Sequence, residues 1–119
     1  MNRVVLLVDD EPDITTLFRR VLKRSFDEVH VALSGKEAAE ILAKRAVTHL
    51  VTDFFLGADE PQGTALVARW RTAYPSIRFA AVFTGRASTK EIGGLPGIDA
   101  VFAKPGGFEE LIALLNSSP

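Results

Sequence analysis

The chain has 119 residues, enough for one ordinary domain with a hydrophobic core and too few for two. Its 14 basic and 15 acidic side chains give a formal net charge of -1, so no overall field draws it to nucleic acid or to an anionic membrane. The absence of cysteine excludes disulfides, thiol catalysis and cysteine-ligated metals, and no apolar run approaches the length of a membrane span.

The first apolar stretch, residues 4–8, gives way directly to Asp9-Asp10-Glu11. It is too short for the apolar part of a signal peptide and has acidic residues where a cleavage site would stand, so we expect a cytoplasmic chain. A buried strand fits this stretch instead. Pro12 suits the first turn of a helix, and apolar residues recur at helical spacing behind it, which predicts an amphipathic helix over about residues 12–25.

The next elements lead to one unusual carboxylate. Residues 28–32 alternate as a strand does, and Ser34 is a good N-cap for a second helix. The apolar run from His49 to Leu56 then contains a single charged residue, Asp53. Because a carboxylate is costly to bury in such a run, we expect Asp53 where the strand ends and water or a cation reaches it.

A loop of turn-forming residues, 57–63, separates Asp53 from a third helix, which contains Trp70 and stops at Pro75. We expect Trp70 in the core, because it lies on the apolar stripe of that helix. The fourth strand, residues 79–83, runs into Thr84-Gly85. A third predicted strand end therefore carries a polar side chain.

The last elements are less regular. Glycines and a proline in residues 86–98 leave room for at most two helical turns, so we expect a short or irregular element there. The fifth strand, residues 100–103, precedes Lys104-Pro105, and a final amphipathic helix follows Gly106-Gly107. Residues 116–119 are expected to form a fraying end or a truncated linker.

Strands that alternate with helices over short connections favour one α/β domain with a parallel sheet and right-handed crossovers, here over residues 1–119. The carboxyl ends of parallel strands share one edge, where open α/β sheets place their ligands. The polar residues expected at this edge are Asp9, Asp10, Asp53, Thr84 and Lys104.

These edge residues predict a chemistry in combination, although a lone Asp after a strand is usually a turn or a helix cap. Carboxylates brought together repel one another and need a cation, and an all-oxygen site suits Mg2+, with Mn2+ as the alternative. A lysine and a threonine hydroxyl at the same edge complete what phosphoryl transfer requires: a nucleophile, a metal, a fixed cation and hydrogen-bond donors. In this interpretation Asp53 attacks the phosphorus.

Together these residues resemble the receiver domain of two-component response regulators over essentially the whole chain. The motifs that carry the resemblance are Asp9-Asp10-Glu11-Pro12, Asp53, Thr84-Gly85 and Lys104-Pro105, each placed after a predicted strand. The resemblance implies a flavodoxin-like, doubly wound sheet of five parallel strands in the order 2-1-3-4-5, with helices on both faces.

The resemblance also implies roles for the acidic residues. Asp53 would accept a phosphoryl group from a phosphohistidine of a histidine kinase or phosphotransfer protein. Asp10 and Asp53 would contact Mg2+ directly, and Asp9 would act through water or complete the coordination shell. The backbone carbonyl of Phe55 would be a further ligand.

The remaining implied features concern switching and output. Lys104 would pair with carboxylate or phosphoryl oxygens, Thr84 would move its hydroxyl to the phosphoryl group, and the Lys104-Pro105 bond would be cis. The domain would be a cytoplasmic phosphoprotein that assists its own phosphorylation and dephosphorylation without being an enzyme. We expect a monomer or weak dimer that binds neither nucleic acid nor membrane itself.

Two departures from the usual receiver pattern affect the output side. Gly57 stands where a proline is usual, and the matching glycine, Gly63, comes two positions late, so we expect a longer loop beside Asp53. Val101 replaces the usual switch aromatic, and the adjacent Phe102 should face the other side of the sheet because side chains alternate along a strand.

Two other functions remain open from the sequence. A receiver-like interaction module that works without phosphate is compatible with Val101 and the weak fourth helix. A small aspartyl-phosphate phosphohydrolase also combines Asp, Thr, Lys and Mg2+, but such enzymes place the nucleophile after the first strand in an Asp-x-Asp arrangement. The run Asp9-Asp10-Glu11 lacks that spacing.

Overall fold

The computed structural model describes residues 2–54, 56, 62–85 and 89–119. In these residues, strands alternate with helices along the whole chain. The elements are β1 (Val4–Val8), α1 (Pro12–Leu22), β2 (Glu28–Ala32), α2 (Gly35–Lys44), β3 (His49–Thr52), α3 (Gly63–Ala73), β4 (Phe79–Thr84), α4 (Thr89–Gly93), β5 (Ala100–Ala103) and α5 (Phe108–Ser117). The five strands form one parallel sheet in the order β2-β1-β3-β4-β5, which confirms the expected topology.

The sheet buries both of its faces. Because side chains alternate along a strand, Leu6 packs with Trp70 and the other buried residues of α2 and α3, whereas Leu7 packs on the opposite face with Phe18 of α1 and Leu111 of α5. Helices therefore cover both faces, as predicted, and Trp70 is a core residue.

Local signals in the sequence explain several element boundaries. The Ser34 hydroxyl accepts a hydrogen bond from the Glu37 amide at 3.1 Å and so caps α2, as predicted. Within the described residues, helix α4 spans the five residues Thr89–Gly93, in agreement with the expected short element. On β5, Phe102 packs with the α1 and α5 core, whereas a methyl group placed on Gly93 of α4 would lie 3.8 Å from Val101. The two β5 side chains thus face opposite sides of the sheet, as expected.

Two boundaries differ from the sequence prediction because of one long-range cluster. Helix α1 ends at Leu22 rather than near residue 25, since the chain turns there to bury Phe26. Helix α5 continues to Ser117, so residues 116 and 117 do not fray. The guanidinium of Arg3 stacks over the Phe26 ring at 4.2 Å and donates hydrogen bonds to the carbonyl groups of Leu115 and Ser118 at 2.6 and 2.9 Å. Arg3 therefore contributes to both C-terminal boundaries, that of α1 through Phe26 and that of α5 through Leu115 and Ser118.

No helix within the described part of the chain is both long enough and apolar enough to span a bilayer. The result agrees with the absence of a long apolar run in the sequence.

His49 begins β3 at the opposite end of the sheet from Asp53, and it is fully buried. Its Nδ1 lies 2.7 Å from the Thr48 hydroxyl, its Nε2 lies 3.2 Å from the Ser118 hydroxyl, and its ring meets Phe26 edge to face. Burial, reinforced by the positive charges of Arg3 and Arg78, lowers the pKa of His49 to about 4. His49 is therefore a neutral core residue.

We expect acid to destabilise the fold through His49. A histidine in the unfolded chain titrates near 6.5, so protonation favours the unfolded state as pH falls below that value. The loss of stability develops as pH falls through about 6.5 and reaches about 2 to 3 kcal/mol near pH 4.5. Urea unfolding of the wild-type protein and of His49→Phe, above about pH 6.5 and near pH 4.5, would measure this loss in the free energy of unfolding. An equal acid loss in both proteins would contradict this assignment.

Candidate functional site

The site forms where β1 and β3 end side by side. Val8 pairs with Thr52 in the sheet, so the next residues, Asp9 and Asp53, emerge from adjacent strands at the same level. The hydrogen bonding between β1 and β3 continues one residue beyond β3, because the Asp53 amide donates to the Val8 carbonyl at 2.9 Å. Asp9 is fully buried and Asp53 is 7% exposed. The parallel sheet therefore holds two carboxylates together, as the sequence predicted.

Lys104 reaches both carboxylates from the end of β5. Its Nζ lies 2.8 Å from Oδ2 of Asp9 and 2.9 Å from Oδ2 of Asp53. The Lys104 amide donates to the Thr84 carbonyl at 3.0 Å, and the Lys104-Pro105 peptide bond is cis, as the resemblance implied. The lysine backbone is thus tied to the end of β4 while its ammonium lies between β1 and β3.

The pKa of Asp9 indicates that the Lys104 ammonium does not fully compensate the cost of burying the Asp9 carboxylate. Burial raises the pKa of Asp9, although Lys104 and the Glu11 amide act in the opposite direction. Burial also acts to lower the pKa of Lys104, but its contacts with Asp9 and Asp53 outweigh burial, and the pKa is raised. A second cation near Asp9 would favour its charged form.

The acidic cluster contains four residues, Asp9, Asp10, Glu11 and Asp53, which offer carboxylate oxygens within 4.8 Å of one another. With all four ionised and Lys104 protonated, the local charge is -3. A dication bound in the cluster would neutralise most of this charge. The buried Oδ2 of Asp9 forms an ion pair with the Lys104 ammonium at 2.8 Å and has no other hydrogen-bond partner among the described residues. All the candidate ligand atoms are carboxylate oxygens. Asp10 and Glu11 are exposed, so water can reach the cluster, and both features fit Mg2+.

The sequence prediction omitted one member of this cluster, Glu11. Its Oε1 lies 3.5 Å from Nζ of Lys104, and its amide donates to Oδ1 of Asp9 at 3.0 Å. The signal was present in the run Asp9-Asp10-Glu11, but a third consecutive acid reads equally well as a solvated helix start.

Thr84 is the last residue of β4 and is almost fully buried. It pairs with Ala103 across the sheet, and its carbonyl accepts the Lys104 amide. The backbone thus connects Thr84 to the lysine of the site, as expected from the shared edge. The switching role of its hydroxyl stays a prediction.

The start of α3 packs closely against the backbone of Asp53. The Gly63 amide donates to the Phe54 carbonyl at 2.8 Å. A methyl group on Gly63 would overlap the carbonyl oxygen of Asp53 and would come within 2.9 Å of the Thr52 hydroxyl. This close approach explains why a glycine stands here. The carbonyl of Phe55 and the loop at residues 57–61, including Gly57, lie outside the described residues.

Family and sequence comparisons agree with this geometry. The model of the response regulator receiver domain matches residues 5–116. The transcriptional regulatory protein TrcR of Mycobacterium tuberculosis is 36% identical over 116 residues, which cover 94% of this chain and 43% of that protein. A putative NtrX-like response regulator of Rickettsia bellii is 32% identical over 71 residues, covering 60% of this chain and 15% of that protein. The chain therefore spans less than half the length of these curated relatives.

Solved structures show the same fold. The signal receiver domain of an HD domain-containing protein from Pseudomonas fluorescens Pf-5 superposes with a TM-score of 0.82 at 24% identity, over 97% of this chain and 91% of that chain. A response regulator from Burkholderia pseudomallei, crystallised with a phosphorylated aspartic acid, a calcium ion and citrate, superposes with a TM-score of 0.80 at 26% identity, over 96% of this chain and 66% of that chain.

Proposed function

Because this chain belongs to the response regulator receiver domain family of two-component systems, we propose that Asp53 accepts a phosphoryl group in a Mg2+-dependent reaction. The donor in this proposal is the phosphohistidine of a histidine kinase or of a phosphotransfer protein. The observation that carries the proposal is the contact of Lys104 with both Asp53 and Asp9 inside a cluster of four carboxylates. The solved relative with a phosphorylated aspartate supports it.

The chemical step requires a free carboxylate oxygen on Asp53. That oxygen forms the new P–O bond as the P–N bond to the donor histidine breaks, and the imidazole leaves with the bonding electron pair. Lys104 lies beside Asp53 and would provide a positive charge for the phosphoryl oxygens. Asp10 and Asp53 would hold Mg2+ directly, with Asp9 acting through water or completing the coordination shell. When bound, the ion neutralises charge on the carboxylates and on the transferring group.

In this proposal the domain signals by a change of shape rather than by turnover of a substrate. Thr84 would turn its hydroxyl towards the phosphoryl group and move the segment that follows β4. Val101 offers a small side chain where receivers usually carry the switch aromatic, so the coupling of this movement to β5 would be altered. We propose a cytoplasmic phosphoprotein, monomeric or weakly dimeric, whose downstream output depends on a partner or an attached effector domain.

The test uses the small phosphodonor acetyl phosphate, because it needs no knowledge of the kinase. We expect mass spectrometry to find one phosphoryl group per chain after incubation with acetyl phosphate and Mg2+. Chelation with EDTA beforehand should prevent the modification. Folded protein that stays unmodified at saturating Mg2+ would contradict the proposal. Continuous release of phosphate from a range of phosphate esters would favour a phosphohydrolase instead.

A further inference from the structure

Glu11 is the third carboxylate partner of Lys104, and its surroundings differ from those of the other two. The side chain of Asp9 is completely buried and that of Asp53 is 10% exposed, whereas that of Glu11 is 57% exposed. Its contact with Nζ is also the longest of the three, at 3.5 Å. Glu11 is therefore within ion-pair range of the lysine and still has room to move.

A divalent cation in the acidic cluster and Lys104 share two carboxylate partners, Asp9 and Asp53. The two shortest contacts of Nζ are with Oδ2 of Asp9 and Oδ2 of Asp53, and both residues belong to the acidic cluster. Two cations held against the same oxygens repel each other strongly in a partly buried site. A dication that enters the cluster would therefore push the Lys104 ammonium away from at least one of these carboxylates.

The displaced ammonium needs a new partner, because the Lys104 side chain is only 11% exposed and an unpaired buried charge is costly. Across the described residues, the acidic groups within 4.0 Å of Nζ are those of Asp9, Asp53 and Glu11. The backbone of Glu11 is fixed, since its amide donates to Asp9 and its carbonyl accepts the Ile14 amide at the start of α1. Only its side chain has to follow the lysine.

We propose that Glu11 is a positioning residue that receives the Lys104 ammonium when a divalent cation enters, and so sets the affinity of the site for that cation. The inference rests on the proposed function, because it places the cation in the same acidic cluster. It concerns how the lysine is held and not whether Asp53 is phosphorylated.

The test is a double-mutant cycle on Mg2+ binding, measured by calorimetry without any phosphodonor. Glu11→Gln should weaken Mg2+ binding about 2- to 5-fold, as expected for loss of one partly exposed charge pair. Lys104→Met should strengthen it. In the Lys104→Met background, Glu11→Gln should change the affinity less than about 2-fold, because only the attraction between one partly exposed carboxylate and the ion then remains. Lys104→Gln provides a second background in case Lys104→Met fails to fold.

The matched control is Asp13→Asn. Asp13 is an exposed carboxylate in the first turn of α1 that lies outside the acidic cluster, so its removal reports only the general loss of negative charge. We expect no measurable change in Mg2+ affinity. An equal effect of Glu11→Gln with and without Lys104, or an equal effect of Asp13→Asn, would overturn the inference.

The outcomes also separate this inference from the proposed function. If the wild-type protein binds Mg2+ and takes up a phosphoryl group while the cycle shows no coupling, the role of Glu11 is wrong and the proposed function stands. If the wild-type protein binds no Mg2+, both are wrong.

Discussion

Asp53→Asn should reduce phosphoryl uptake from acetyl phosphate to background. The amide of asparagine has nearly the shape of the carboxylate but is neutral, so it is a far weaker nucleophile and a poor partner for Lys104. Asp9 cannot substitute, because its side chain is fully buried and its Oδ1 already accepts the Glu11 amide. Mass spectrometry of the intact protein after incubation with Mg2+ and acetyl phosphate would measure the loss.

The control for this prediction is again Asp13→Asn, which removes an exposed carboxylate from α1 and should leave uptake at the wild-type level. Circular dichroism would verify that both variants are folded. Undiminished labelling of Asp53→Asn would refute the assignment of Asp53 as the phosphoacceptor. Another member of the acidic cluster would then be the candidate acceptor. Peptide mapping of the labelled protein would then identify the residue.

The edge of the sheet was predictable from the sequence because it depends on local patterns. Four of the five strands are short apolar runs that lead into a polar residue, and parallel pairing brings those ends to the same edge without further information. The contact between Lys104 and Asp53 spans 51 positions, yet it follows from the two strand ends alone. The opposite faces of Val101 and Phe102 followed in the same way from the alternation of side chains.

The features that the sequence did not predict depend on contacts between distant side chains. The end of α5 is held by Arg3, which is 112 positions away from Leu115, and no local signal at residues 116–119 indicates that partner. The early end of α1 depends on the burial of Phe26 beneath the same arginine. Glu11 belongs to this class as well, because its place in the site depends on where the Lys104 ammonium lies.

Gly63→Ala should damage both the fold and the site. The backbone of Gly63 has an ordinary helical conformation at the start of α3, so alanine would gain helix propensity of up to about 1 kcal/mol. The added methyl group would overlap the Asp53 carbonyl oxygen, which is backbone and cannot turn away. Overpacking of this kind costs about 1 to 3 kcal/mol or more, so the steric cost exceeds the gain and the free energy of unfolding falls. We also expect slower phosphoryl uptake, because relief of the overlap displaces Asp53.

Urea unfolding followed by the fluorescence of Trp70 would measure the change, since this single tryptophan lies on the same helix as Gly63. Gly93→Ala is the matched control: its methyl group would make only an ordinary contact, 3.8 Å from Val101, so the variant should be as stable as the wild type or slightly more stable. If Gly63→Ala matched Gly93→Ala in stability and labelled at the wild-type rate, α3 would not press on the Asp53 backbone. The close packing of α3 against the phosphoacceptor segment would then have no part in positioning Asp53.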